Sequence, residues 1–365
     1  MRASSAGSST PVGRRPTPAE VYRRFGDLDA AKASPLHQRV AVALSESDEA
    51  MRALEAVPAR KRHPTVILAA LHDVALTGGA PVLAAAYAAA DADAAALAAV
   101  ETLLRMTDSI VALAERRRPR TDETGHSAVL YPAIAEAARR VGATAVGLID
   151  VGCSAGLNLT VDRVGIRYSD GQALGDPSSP VQQTASIVGK RPVPTRALPE
   201  VVARVGIDLD PFDVTNPDDA RWLRAWLPPD QPERAAMLEA ELALAATDPP
   251  TLLAGDALEV LPDAFSRVPA KALPVVTTTW ALSSFPLQSR LRFLQRLDDA
   301  SLGRPVAWVS VEGVGVAPAV PTLGDRRASG HSIIGVAVLD GSTLRTEAVG
   351  RCWLRGRMLA WLAGS

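Results

Sequence analysis

The stretch Val146-Gly147-Leu148-Ile149-Asp150-Val151-Gly152-Cys153-Ser154-Ala155-Gly156-Leu157-Asn158 constrains this chain more than any other. An apolar run ends in an acid, passes through a turn of small residues and enters a segment with helical character. A strand of this kind delivers the backbone to the edge of a sheet. Glycines then let it approach a ligand closely, and the following helix offers unpaired N–H groups at its N-terminus. That order is the physical recipe for a nucleotide site, so the ligand of this turn decides what the chain does.

Periodicity frames the turn. From 17 to about 140 the pattern is helical, with segments opening at Pro18 and at Ser34-Pro35 and further helices expected over 47–56, 64–77, 81–90, 93–116 and 127–141. Beyond Gly142, strand-like runs at 145–151, 202–209, 251–254, 273–279 and 306–311 alternate with helical stretches at 155–164, 218–227, 231–246 and 287–297. Such alternation predicts an α/β fold whose mostly parallel sheet carries helices on both faces. The runs 332–339 and 344–353, joined through Asp340-Gly341, predict a closing antiparallel β-hairpin. The expected organisation is a disordered tail over 1–16, an α-helical N-terminal cap region over 17–141 and an α/β domain over 142–365. Within that domain, 167–199 is rich in Gly, Pro, Ser and Asp. It reads as an insertion, either a long loop or one hiding a small hairpin around Ser169-Asp170-Gly171.

Composition narrows the partners. The chain has 365 residues, 47% hydrophobic and 22% charged, with a formal net charge of −1. That balance carries no electrostatic footprint for nucleic acid or an anionic membrane. Cys153 and Cys352 are its two cysteines, which excludes a disulfide framework and the four-cysteine zinc patterns. No pair of histidines has metal-ligand spacing, so no metal is expected. No apolar run reaches the length of a membrane span, and the region 82–100, which comes nearest, is interrupted by Tyr87, Asp91 and Asp93. A cytoplasmic protein with a small-molecule substrate is expected.

Three readings of the glycine turn compete. The first is a site for S-adenosyl-L-methionine. Asp150, Gly152, Ser154 and Gly156, followed by Asn158, resemble the acid–x–Gly–x–Gly–x–Gly pattern of class I methyltransferases, a Rossmann-like fold, with serine replacing the middle glycine. That resemblance implies that Asp150 holds the amino group of the methionine moiety. It further implies that an acid after the second strand, Asp208, accepts the ribose hydroxyls, and that a polar residue after the third, Asp256, touches the adenine. Asp208 lies well beyond the roughly 20 residues expected for a ribose acid in related folds, which requires the 167–199 insertion. The second reading is a serine hydrolase: Gly152-Cys153-Ser154-Ala155-Gly156 spells G-x-S-x-G, with His331 as base and Asp256 or Asp208 as its orienter. A helical region precedes this elbow where such folds have strands, and Leu157 stands where they need a very small residue. The third, a dinucleotide site, fails at Ser154 and Leu157, where G-x-G-x-x-G requires glycines. A turn of small residues that packs strand on helix and binds nothing is the remaining alternative.

Across the chain, Tyr22-Arg23-Arg24-Phe25, Ser34-Pro35-Leu36, Gly175-Asp176-Pro177, the stretch from Val205 to Val214, Asp230-Gln231-Pro232-Glu233-Arg234 and Gly255-Asp256-Ala257, together with the stretch from Asp150 to Asn158, resemble a bacterial family catalogued as domain of unknown function 2332. The resemblance implies a methyltransferase-like fold and offers no catalytic residues to carry over. Where members of the family have Thr-Asn-Glu followed by arginine, this chain has Thr121-Asp122-Glu123-Thr124-Gly125-His126.

A methyl transfer needs positioning above all, with a general base when the acceptor is a hydroxyl. Glu123 and His126, just before a helix, and His331, beside a hairpin, are the candidate catalytic residues. Tyr22, His72 and Trp280 are the candidate substrate contacts, although core packing is the favoured account of Tyr22 and a hydrogen-bonded core position that of His72. The expected activity is methylation of a small molecule, for example in secondary metabolism. The alternative is a protein of the same fold that binds cofactor or metabolite without transfer.

Overall fold

A computed structural model describes residues 16–117, 126–341 and 343–364. The expected tail, apart from its last residue, and the cluster containing Glu123 lie outside the described residues, although His126 lies within them. The described chain divides into two compact units, one of 16–117 with Arg221–Pro232, the other of 126–220 with the residues from Glu233 onward.

The first unit is helical: α1 (Pro18–Arg24), α2 (Pro35–Glu46), α3 (Asp48–Leu54), α4 (Pro64–Leu76), α5 (Pro81–Ala88), α6 (Ala92–Arg105) and α7 (Thr107–Arg116). The starts are written locally. Thr17 and Glu20 form a capping box on α1, and the side chains of Ser34, Ser47 and Asp91 accept N–H groups at the starts of α2, α3 and α6. Prolines open α1, α2, α4 and α5, where a missing N–H costs nothing. The single helix expected over 93–116 is instead two. Met106 leaves helical geometry at ψ 29°, and the Thr107 hydroxyl donates back to the carbonyls of Leu103 and Leu104, which bends a helix at this point. Val40, Leu44, Leu68, Leu71 and Leu103 fill the core. The segment Arg221–Pro232 is strapped onto it: Asp230 accepts the Ser34 hydroxyl at 2.6 Å and the Leu36 N–H at 3.1 Å, while Arg221 pairs with Asp73 at 3.0 Å.

The second unit contains one sheet of eleven strands: β1 (Ala145–Val151), β2 (Gly165–Tyr168), β3 (Ala173–Gly175), β4 (Gln182–Ile187), β5 (Glu200–Asp208), β6 (Thr251–Ala254), β7 (Leu273–Thr279), β8 (Val306–Gly313), β9 (Ser332–Asp340), β10 (Thr343–Trp353) and β11 (Met358–Trp361). The order is β3-β2-β4-β11-β10-β9-β8-β7-β1-β5-β6. Its helices are α8 (Ser127–Val141), α9 (Pro217–Ala225, whose last five residues belong to the helical unit), α10 (Pro232–Ala246), α11 (Ala257–Ser266) and α12 (Leu287–Ser301). The segment β6-β5-β1-β7-β8 is parallel throughout. From β1 the chain builds outward to β5 and β6, then returns to β7 and β8 on the other side, so the strand order reverses between β1 and β7. Parallel sheets of this kind open a ligand crevice beyond the carboxyl ends of the strands at that reversal.

Both faces of the sheet are covered, so the central strands read as continuous apolar runs rather than alternating ones. Val146, Leu148, Val275 and Val309 pack with Leu130 and Ile134 of α8. On the opposite face Ile149, Val151, Val276 and Trp308 pack with Leu261 of α11 and with Phe293 and Leu297 of α12. The boundary expected at Gly142 separates α8 from a sheet whose core it helps to form. The helix expected over 155–164 is a tight 3-10 run, Leu157–Arg163, entered through left-handed Gly156 and drawn in by the Thr160 hydroxyl donating to the Leu157 carbonyl. The insertion does hide a hairpin, β2 with β3, turning at 169–172, and it also supplies β4. Through β4 it joins β11 and so extends the main sheet.

Candidate functional site

The glycine turn is sewn to the end of β5. Gly152, Ser154 and Gly156 have φ of 76°, 52° and 71°, which reverses the chain within a few residues. The N–H groups of Gly152 and Cys153 donate to the Ile207 carbonyl at 2.8 and 3.1 Å, and that of Ser154 donates to Asp208 Oδ2 at 3.0 Å. A Cβ at Gly152 would lie 2.8 Å from that of Ala281, so this position takes glycine for space as well as for φ. At the base of the turn Asp150 is 1% exposed. Its Oδ1 accepts the Thr277 hydroxyl at 2.6 Å and its Oδ2 the Asn158 amide at 3.3 Å. Burial pushes the Asp150 carboxyl up to about 6, against the pull of those two hydrogen bonds, and the charge of Asp208 raises it further.

A cavity of about 490 Å³ opens at the carboxyl ends of β1, β5, β6 and β7, within the size range of small-ligand sites. On one side it is lined by Gly152, Asp208, Gly255 and Asp256. Asp208 also accepts the Asp210 N–H at 3.1 Å, and its carbonyl takes the Gly255 N–H at 2.9 Å, tying the ends of β5 and β6 together. Asp256 caps α11 through the Leu258 N–H at 2.8 Å.

His126, Thr279, Trp280 and Arg355 also line the cavity. Trp280 is fixed by its Nε1–H donating to Ser332 Oγ at 2.8 Å and by the His126 ring, whose centroid lies 4.9 Å away at 61°. The Arg355 guanidinium carbon sits 4.9 Å from the Trp280 ring centroid. Trp280, Leu354 and Arg355 have φ of 54°, 48° and 55°, a region that costs a residue bearing a side chain on the order of 1 kcal/mol or more. The next turn, Leu282–Ser284, is braced from both sides. Glu312 Oε1 accepts the Leu282 N–H at 2.9 Å, while Arg290 donates to the carbonyls of Phe285 at 2.8 Å and Ser283 at 3.3 Å. Glu312 is 1% exposed, and its Oε2 has no hydrogen-bond partner among the described residues. Burial raises its carboxyl to about 7, with the N–H groups of Leu282 and Ala281 and the charges of Arg290 and Arg355 opposing the rise.

Of the expected residues, Gly152, Asp208, Asp256, Trp280 and His126 line the cavity. Asp150, Ser154, Gly156 and Asn158 shape the turn without lining it. The Ser154 hydroxyl is buried and has no hydrogen-bond partner among the described residues, so no histidine engages it as a hydrolase base would. His331 lies outside the lining. Its Nε2 is 2.8 Å from Asp325, which Arg351 grips at 2.6 and 3.0 Å, and its ring faces Trp353. In the helical unit, Tyr22 is buried and donates to the Arg62 carbonyl at 3.3 Å, and His72 Nδ1 sits 3.2 and 3.1 Å from the carbonyls of Ala225 and Leu227. Arg355 and Glu312 escaped the sequence reading. An acid ending an apolar run is the signal that marked Asp150, and Glu312 ends the run from Val306 in the same way.

The chain belongs to the family described as "uncharacterized protein conserved in bacteria" (DUF2332), whose pattern matches residues 19–361. No curated protein and no solved structure matches it. Among the described residues, no single helix is long and apolar enough to cross a membrane.

Proposed function

Starting from that membership and from the fold, we propose that the sheet-bearing unit is a class I methyltransferase-like domain that methylates a small molecule with S-adenosylmethionine. The observation that carries this reading is the run of acids at the ends of three neighbouring parallel strands. Asp208 and Asp256 line one cavity at the reversal of strand order, and Asp150 is buried at the base of the adjoining glycine turn. The donor set suits the cofactor. A carboxylate at the end of β5 matches a vicinal diol, Asp256 offers an acceptor to an amino-bearing base, and Gly152 leaves its backbone bare.

S-adenosylmethionine, when bound, supplies an electrophilic methyl group on a sulfonium. Asp208 would hold the ribose end, and Asp150 would act from beneath by fixing Thr277 and Asn158, its burial leaving it a supporting role rather than a direct contact. Trp280 orients the acceptor, and an imidazole nitrogen of His126 takes its proton.

Calorimetric titration with S-adenosylmethionine and S-adenosylhomocysteine tests the reading. Micromolar binding of both is expected, and absence of binding removes it. Binding of both without transfer of labelled methyl to any acceptor would favour a cofactor-binding protein instead. Because the Ser154 hydroxyl has no hydrogen-bond partner among the described residues, a fluorophosphonate probe is expected to leave Ser154 unmodified. A stoichiometric adduct there would revive hydrolase chemistry.

A further inference from the structure

Two bulky residues on separate loops, Trp280 after β7 and Arg355 between β10 and β11, hold left-handed backbone at φ 54° and 55°, and their side chains meet at the cavity. Strain held by neighbouring structure and converging from two loops marks a place where geometry is being kept for a purpose. The guanidinium lies over the Trp280 ring, and its charge reaches the buried Glu312 carboxyl only through space. Among the described residues no carboxylate pairs with Arg355, and none of its N–H groups is hydrogen-bonded. Beside Trp280, Thr279 lines the same cavity, only 8% of the residue is exposed, and its buried hydroxyl oxygen has no hydrogen-bond partner among the described residues.

We propose that Arg355, with Thr279, forms an anion-recognising subsite and that the acceptor bound there carries a carboxylate. An arginine whose plane is fixed by an aromatic ring presents its N–H groups as a preset fork, the arrangement that grips a carboxylate through two parallel hydrogen bonds. Thr279 supplies a third donor. A phosphate dianion would also fit the fork, but Asp208 and Asp256 line the same cavity and repel a second negative charge more than the first. A monoanion is the better match. The inference rests on the methyltransferase reading for the word acceptor, but the subsite itself does not.

Benzoate, its neutral isostere benzamide and phenyl phosphate are suitable probes, followed by saturation-transfer NMR and tryptophan fluorescence on the full chain. Benzoate is expected to bind about tenfold more tightly than benzamide and more tightly than phenyl phosphate. The preference over benzamide should vanish in Arg355→Gln and survive in part in Arg355→Lys, which keeps the charge without the fork. Thermal melts establish that the variants are folded, as an exposed position allows. Equal binding of benzoate and benzamide by the wild type, or a preference that outlives Arg355→Gln, overturns the subsite. Tighter phenyl phosphate overturns the carboxylate assignment. A parallel titration of the wild type with S-adenosylhomocysteine separates the two ideas: no binding there, alongside a benzoate preference lost in Arg355→Gln, rejects the cofactor and keeps the subsite.

Discussion

Asp208→Ala is expected to weaken S-adenosylhomocysteine binding by about 100-fold, or about 2.7 kcal/mol, the scale of losing charge-assisted hydrogen bonds to a diol. The same carboxylate accepts the N–H groups of Ser154 and Asp210, so the variant also frees the glycine turn from the end of β5. Asp208→Asn separates the two effects. It retains one acceptor oxygen of nearly the same shape but loses the charge, so it should melt closer to the wild type than the alanine variant while still binding poorly. Calorimetry and thermal melts on the three proteins make the comparison. Unchanged affinity in Asp208→Ala would show that the ribose assignment is wrong.

Glu312→Gln carries the second large effect, and its sign follows from burial. The folded chain holds the Glu312 proton more tightly than the unfolded chain does, because the carboxyl rises from 4.5 to about 7. Below the unfolded value the group is neutral in both states and nothing is lost. As pH climbs through the interval the folded state resists ionisation, stability falls, and the penalty is complete above about pH 7. Its ceiling is on the order of 3 kcal/mol, from the size of the shift. Glutamine keeps an oxygen for the Leu282 N–H and places an uncharged amide where Oε2 is now. The variant should therefore match the wild type near pH 5 and exceed it at pH 8, with denaturant unfolding as the measure. Asp150 titrates over a similar range in both proteins, so the difference isolates Glu312. A difference independent of pH would refute the assignment.

How much could be read from residues alone varied with how local the cause was. β1, β6 and β7 have the expected bounds because each is an apolar run closed by a turn, a signal contained within the segment. β4 and β11 carry no such signal. Gln182–Ile187 is half polar and Met358–Trp361 is short, and each is a strand because distant neighbours pair with it, β2 and β11 with β4, β10 and β4 with β11. α11 is not among the expected helices; it runs through Pro262, a residue that breaks the local helical signal. At the candidate site, the acids following parallel strands were legible as types at positions. Arg355 was not, since its contact with Trp280 joins loops 75 positions apart in the chain. His331 and His126 looked alike in sequence, and only the folded neighbourhood separates an ion-pair cluster from a cavity wall.

The pairing of β4 with β11 has a consequence for synthesis. Translation delivers β4 more than 150 residues before its neighbour β11. Until Trp361 has left the ribosome, β4 and β10 each present an unsatisfied edge, and the sheet exists as two fragments. Open edges of this sort recruit strands from other molecules. Contacts so distant in sequence also form slowly. The open edge of β4 therefore persists through the synthesis of more than 150 further residues and closes only when β11 is made.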